Sequence, residues 1–321
     1  MAYPSRGTIA ILSIGQMGLG IATLLRSVGY HITTNVSDRS AATQQRAKDA
    51  HIVALPTDAD LVAQADYIFS IVPPRDALAI AERVVTTPPP LYFLELNAIA
   101  PSTARSVADL FAARTPSVRL VDGGIIGAPP SFTEEPAGEA PILRWKKPDI
   151  PLSGPYALAD APLSGAHLAE TLNTTFIDVH IGSASGLKCS FAALSKGFTA
   201  LALQSYTSAS ALGVLPQLQT YLDIYNPGAR AKAEKSIVGC TSKAYRWVEE
   251  MRQIGVYFGE EGGFREQAQV FKEVAGVYEA LASVYEATGG KGLGSAEEVV
   301  KVLGQGVKRK EGEEKVEETD K

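Results

Sequence analysis

The stretch GSASGLKCSFAALSKG, residues 182–197, sets one lysine among glycine, serine and alanine, side chains too small to crowd it. Reducing a carbonyl by hydride transfer builds negative charge on its oxygen. A positioned ammonium can stabilise that charge and deliver a proton to it. Lys188 has the type and setting for such work, with Ser183, Ala184, Ser185 and Gly186 leaving room for reactants to approach. Lys196, eight residues further on, reads as its surface neighbour on the same helix.

A second candidate lies near the amino end. AILSIGQMGLG, residues 10–20, carries an apolar run, a glycine turn and a helix start in that order. The dinucleotide fingerprint G-x-G-x-x-G falls on Ser13, Gly15 and Gly18, with serine in place of the first glycine. Ile14, Gly15, Gln16, Met17 and Gly18 are therefore expected to cradle a pyrophosphate with backbone amides at a helix amino terminus. About twenty residues later an acidic residue would hold the adenosine ribose of NAD. Asn35 stands there, followed by Asp38, Arg39 and Ser40. Asparagine removes a charge that would repel a 2′-phosphate, and Arg39 and Ser40 can bind one. NADP is the expected cofactor, with NAD as the alternative.

These residues need a frame. Up to residue 182, short apolar runs alternate with helical stretches, beginning with TIAILSI (8–14), YHITTNV (30–36), YIFSIVPP (67–74) and LYFLEL (91–96). VRLVDGG (118–124), DIPLSG (149–154) and TFIDVHIG (175–182) continue the series. The runs are continuous rather than alternating, as in strands covered on both faces, which predicts an α/β fold with a doubly wound parallel Rossmann sheet. Residues 131–148, rich in proline, glycine and charge, read as an inserted surface loop. After Gly182 only helical patterns remain. The expected organisation is a dinucleotide-binding domain over 1–182, an all-helical domain over 183–305 and a disordered charged tail over 306–321.

The 321 residues carry a net charge of −5, so no basic excess is present to neutralise phosphates, and a nucleic-acid partner is not expected. No apolar stretch is long enough for a membrane span. No charged leader precedes the first strand, so no signal peptide is expected. Two cysteines, Cys189 and Cys240, suit a reducing compartment and a cytoplasmic location. His31, His51, His167 and His180 show no metal-ligand spacing, and no metal is expected.

The glycine turn, IVPP (71–74), ELNAIAP (95–101), VDGGIIGAPP (121–130) and GSASGLK (182–188) follow one another at fitting distances. In that order they resemble the β-hydroxyacid dehydrogenase superfamily, which includes 3-hydroxyisobutyrate and 6-phosphogluconate dehydrogenases. The segment SKAYRWVEEMRQIGVYFGEEGG, residues 242–263, is similar to a helical domain of 6-phosphogluconate-dehydrogenase-like proteins. The resemblance implies that Lys188 is the general acid and base. It places Val72 and Pro73 beside the nicotinamide ribose, and Asn97 near the nicotinamide. Gly123, Gly124 and Gly127 fall in the substrate loop. It also implies a homodimer formed through the helical domain.

Two departures bear on the substrate. The family's Ser-Gly-Gly is Ile126-Gly127-Ala128 here, and its asparagine one turn after the lysine is Ala192. Ser195, on the same helical face as Lys188 and Ala192, can partly compensate. A carbonyl or alcohol less polar than a small hydroxy acid fits these changes, as does an imine, and Tyr206, Tyr245 and Trp247 are candidates to line its pocket. The expected activity is an NADP-dependent dehydrogenase or reductase, with an imine reductase or a non-catalytic NADP-binding sensor as alternatives.

Overall fold

The computed structural model describes residues 6–85, 92–135, 142–226 and 228–319. Its contacts divide the chain into two compact units, Met1–Cys189 and Ser190–Lys321. The division falls seven residues beyond the expected boundary at 182, because the first turns of the long helix pack with the sheet unit.

In the first unit ten strands run in chain order: β1 (Thr8–Ile11), β2 (His31–Thr34), β3 (Val53–Ala54), β4 (Tyr67–Ser70), β5 (Tyr92–Glu95), β6 (Arg119–Gly123), β7 (Ser131–Glu135), β8 (Ile142–Lys146), β9 (Ile150–Ser153) and β10 (Thr174–Asp178). Eight form one sheet in the order β10-β9-β6-β5-β4-β1-β2-β3. The six from β3 to β6 are parallel. β9 runs antiparallel to β6, and β10 runs parallel to β9. The expected parallel sheet is thus mostly parallel, with its last two strands reversed. Strand direction is set by the connections, which hydropathy does not report.

The six helices of this unit are α1 (Gln16–Ser27), α2 (Ala41–Asp49), α3 (Asp58–Gln64), α4 (Ala77–Val84), α5 (Pro101–Arg114) and α6 (Gly165–Thr171). Both sheet faces are covered. Ile9 and Ile11 enter one apolar layer, with Ile21 and Leu25 of α1, while Ala10 and Leu12 enter the other, with Ile80 of α4 and Phe111 of α5. Alternate residues of one strand thus need apolar partners on opposite sides, which explains the unbroken hydrophobic runs.

The segment read as an inserted loop contains a hairpin instead. β7 and β8 pair antiparallel from Ser131↔Lys146 to Glu135↔Ile142, and Phe132 meets Trp145 edge to face at 5.1 Å. Cross-strand aromatic pairing outweighs the local proline and glycine content. Residues 136–141 of that segment lie outside the described residues.

The long helix α7 spans Ser183–Ala211. The second unit takes it up at Ser190 and continues with α8 (Leu215–Tyr225), α9 (Ala229–Cys240), α10 (Ala244–Glu260), α11 (Val270–Thr288) and α12 (Ala296–Thr319). Its described residues contain helices and no strand. Phe258 stacks on Phe271 at 5.1 Å, and the Trp247 ring meets the Tyr278 ring edge-on at 5.2 Å, joining α10 to α11. Helix α12 continues to Thr319, through most of the charged run expected to be disordered. Glutamate and lysine are good helix formers, so such a run can extend a helix that apolar residues have begun. Residues 320–321 of the expected tail lie outside the described residues.

Candidate active site

Every residue expected to hold cofactor lies at the carboxyl ends of the parallel strands, where an open α/β sheet presents its crevice. After β1 the chain turns at Gly15, which caps α1 with no side-chain hydrogen bond. A Cβ placed at Gly15 would meet nothing nearer than Ser13 Oγ, at 4.0 Å, so this backbone is open to close approach. Gly18 is the opposite case. A Cβ there would fall 2.1 Å from the Ser13 carbonyl oxygen, so glycine is what lets α1 lie against β1. Ile14 is buried, Met17 half-buried and Gln16 exposed. An unencumbered helix amino terminus behind an open glycine fits a dinucleotide pyrophosphate.

At the end of β2, Asn35 is 7% exposed and both ends of its amide are hydrogen-bonded. Its Nδ2 donates to Asp58 Oδ1 at 2.7 Å, and its Oδ1 accepts from Ser37 N at 3.1 Å and Ser37 Oγ at 2.8 Å. Asp58, the first residue of α3, also accepts from Arg83 Nε of α4 at 2.6 Å. Arg83 Nη1 reaches Asp38 Oδ2 at 3.0 Å. Arg39 Nε lies 3.2 Å from Asp38 Oδ1, close enough to pair but without hydrogen-bond alignment. Ser40 Oγ accepts from Thr43 N and caps α2. Asp58 and Arg83 went unnoticed in sequence, because each looks like an ordinary charged residue on a helix surface.

The other end of the crevice is buried. At the end of β5, Glu95 is 0% exposed and Asn97 is 3% exposed. Asn97 Oδ1 accepts from Val72 N at 2.6 Å, its Nδ2 donates to Ser70 Oγ at 2.8 Å, and its backbone N donates to Glu95 Oε1 at 3.0 Å. Asn97 thus fastens the turn carrying Val72 and Pro73 to β5; Val72 is buried and Pro73 exposed. Glu95 Oε2 has no hydrogen-bond partner. Burial pushes the Glu95 carboxyl up from its ordinary 4.5 to about 8, with the charge of Asp122 adding to the rise. Asp122 pairs directly with Glu95 across β5 and β6.

Asp122, also 0% exposed, is a buried carboxylate with a full set of donors. Its Oδ2 accepts from Ser153 Oγ at 2.9 Å, Gly182 N at 2.9 Å and Ser185 N at 3.2 Å, and its Oδ1 accepts from Ser185 Oγ at 2.5 Å. Asp122 therefore ties the amino end of α7 to β6, charge facing the positive end of the helix. Asp178 adds a second carboxylate there, accepting from Ser183 Oγ at 2.7 Å and from His180 Nδ1 at 2.9 Å. Hydrogen bonds from Ser183 and His180 hold its pKa down at about 2.

Lys188 sits one turn into that helix, half-buried, and its Nζ donates to the Ile125 carbonyl at 2.5 Å. A Cβ at Gly124 would lie 2.7 Å from Lys188 Cβ and 3.2 Å from its Cγ. The glycine makes room for the lysine's stem. Gly123 is wedged between the Leu96 and Leu152 side chains, and Gly127 adopts φ +128° beside Pro148. The signal for Glu95 and Asp122 was present in the sequence: each is an acid closing an apolar strand, in LYFLEL and in VRLVDGG.

In the helical unit, Ala192 is 3% exposed, and Ser195 Oγ donates to the Ala192 carbonyl of its own helix. Lys196 is not the surface residue expected. Its side chain is 14% exposed, its Nζ pairs with Glu250 and lies 4.9 Å from the Trp247 ring centroid. Tyr206 is 2% exposed and Tyr245 71% exposed, while Trp247 packs on Tyr278, so the three aromatics do not form a common lining. Cys189 and Cys240 are both buried and are not joined in a disulfide. Among the described residues no group of three or more His, Cys, Asp or Glu side chains could hold a metal ion. No described helix is long and apolar enough to cross a membrane.

Residues 8–134 match the NAD binding domain of 6-phosphogluconate dehydrogenase, and residues 209–281 match a domain of unknown function. No curated protein sequence matches the chain. Among solved structures, 3-hydroxyisobutyrate dehydrogenase from Mycobacterium tuberculosis with L-serine aligns at 14% identity and TM-score 0.56, covering 92% of this chain and 99% of that one. A reductive aminase from Aspergillus terreus with NADPH and ethyl-5-oxohexanoate aligns at 20% identity and TM-score 0.53, covering 92% and 98%. An imine reductase variant from Myxococcus stipitatus with NAD+ aligns at 17% identity and TM-score 0.51, also covering 92% and 98%. At these identities the likeness is one of fold.

Proposed function

We propose that the chain, whose residues 8–134 match the NAD binding domain of 6-phosphogluconate dehydrogenase, is a member of the β-hydroxyacid dehydrogenase superfamily and acts as an NADP-dependent reductase or dehydrogenase on a carbonyl/alcohol pair. The observation that carries this reading is the seat of Lys188. Its stem fits against Gly124 and its Nζ is aimed at the Ile125 carbonyl, on a helix whose amino end Asp122 anchors. The nicotinamide, when bound, supplies or accepts the hydride. Lys188 then has one task in each direction. As an ammonium it gives a proton to the oxygen of a carbonyl receiving hydride, and as an amine it takes the proton from an alcohol's hydroxyl. Ile14 to Gly18 are assigned to the pyrophosphate and Arg39 and Ser40 to the 2′-phosphate. Asn35 shapes the adenosine end through Asp58, and Val72, Pro73 and Asn97 border the nicotinamide. The buried methyl of Ala192 and the internally bonded Ser195 give a carboxylate little to hold, so the substrate is a less polar carbonyl. The same features support an imine substrate as the second reading, consistent with the reductive aminase and imine reductase among the structures of like fold.

The test is consumption of NADPH over a panel of aldehydes, ketones and cyclic imines. With the best carbonyl substrate, Lys188→Ala is expected to lower kcat by about 100-fold or more while NADPH binding stays within about threefold. Undiminished turnover would remove the lysine from proton transfer. Tight cofactor binding with no turnover on any substrate would favour a sensor.

We also propose a homodimer through the helical unit. Leu194, Leu201, Leu212 and Tyr225 are 79%, 60%, 78% and 79% exposed there, apolar side chains that a second copy's helices can cover. Sedimentation showing only monomer at the highest concentration at which the protein stays in solution would rule it out.

A further inference from the structure

We propose that Arg83 is a specificity-determining residue that sets the preference for a 2′-phosphorylated dinucleotide, by neutralising two carboxylates at the adenosine end of the crevice. This rests on the dinucleotide reading above. Asn35, Arg39, Asp58 and Arg83 line one small cavity at the end of β2, over Leu12 and Ile80. Asn35 has no amide oxygen to spare for a ribose hydroxyl, since Ser37 takes it, and its Nδ2 is turned to Asp58. The acids that could accept a ribose diol are therefore Asp58 and Asp38, whose side chains are 21% and 47% exposed.

Left alone, two carboxylates favour a diol and repel a phosphate dianion. Arg83 spans both, at 2.6 Å to Asp58 and 3.0 Å to Asp38, while Arg39 meets only Asp38, at 3.2 Å and poorly aligned. With both arginines the four charges cancel. Without Arg83 the cluster carries a net negative charge, and Asp58 loses its ion-pair partner. Arg83 comes from α4, far in sequence from the β2 turn, which is why the local motif does not reveal it.

The experiment is calorimetric binding of 2′,5′-ADP, 5′-AMP, NADPH and NADH to the parent, Arg83→Gln, Arg83→Lys and the double variant Arg83→Gln/Asp58→Asn, at low salt, where charge effects are least screened. The parent is expected to bind 2′,5′-ADP at least about tenfold more tightly than 5′-AMP. Arg83→Gln should bring the two within about twofold while 5′-AMP binding moves less than about threefold. Arg83→Lys should keep part of the preference, and removing the Asp58 charge should restore part of it. A preference unchanged in Arg83→Gln would overturn this role and leave the NADP reading intact. A parent that binds both fragments equally would overturn the NADP reading itself, and Arg83's role with it.

Discussion

The two ends of the crevice use charge in opposite ways. At the end formed by β5 and β6, Glu95 and Asp122 are sealed from water on neighbouring strands. One accepts four hydrogen bonds; the other lacks a partner for Oε2, and burial pushes it toward the neutral form. At the end of β2, Asp38, Asp58, Arg39 and Arg83 form a half-exposed chain of ion pairs. Buried carboxyls must be satisfied or neutral, so they hold structure rigidly. Half-exposed pairs contribute little to stability yet still decide which charges a ligand meets. One end is built for position, the other for selection.

Asp122→Ala tests the rigid end most severely. It leaves the donors at Gly182, Ser185 and Ser153 unpaired in the interior, and a loss of about 3 kcal/mol or more in urea unfolding is expected. A loss below about 1 kcal/mol would mean that the carboxylate does not anchor the lysine helix. Asp122→Asn, which keeps the shape, should cost less.

Glu95 tests the same end through pH. Its folded pKa of about 8 lies above the ordinary 4.5, so the folded protein keeps a proton that the unfolded chain has lost. The stability this contributes is complete below about pH 4.5 and falls as pH rises to about 8. The slope is at most about 1.4 kcal/mol per pH unit. Glu95→Gln should remove that slope, and a parent and variant that stay parallel across the window would break the assignment.

The smallest effect belongs to the other end. Arg83→Gln should alter stability by less than about 1 kcal/mol, even where it abolishes ligand preference. A larger loss would show that the ion-pair chain is structural after all, and the contrast between the two ends would go with it.

Much of this was legible from residue order. The strand–glycine–helix start, the continuous apolar strands and the helical second half follow from patterns that report burial and backbone freedom locally. The role proposed for Lys188 rests on its place in a series of motifs that resembles a known family, and its small neighbours are compatible with that role. What local pattern could not carry was direction and partnership. Nothing in DIPLSG states that β9 runs antiparallel to β6, and nothing in the 131–148 composition states that Phe132 and Trp145 face each other across a hairpin. The charged run after residue 305 was misjudged because lack of apolar anchorage does not prevent a helix already begun from continuing.

The sequence by itself determined a dinucleotide-binding fold and its glycine turn, since each depends on neighbours within a few residues. The tertiary structure alone decided what the charged groups do. It brought Arg83 to Asp58, set Glu95 beside Asp122, seated Lys188 against Gly124 and buried Lys196 with Glu250. The physical reason is that a charge takes its meaning from burial and partners, and both come from residues distant in the chain.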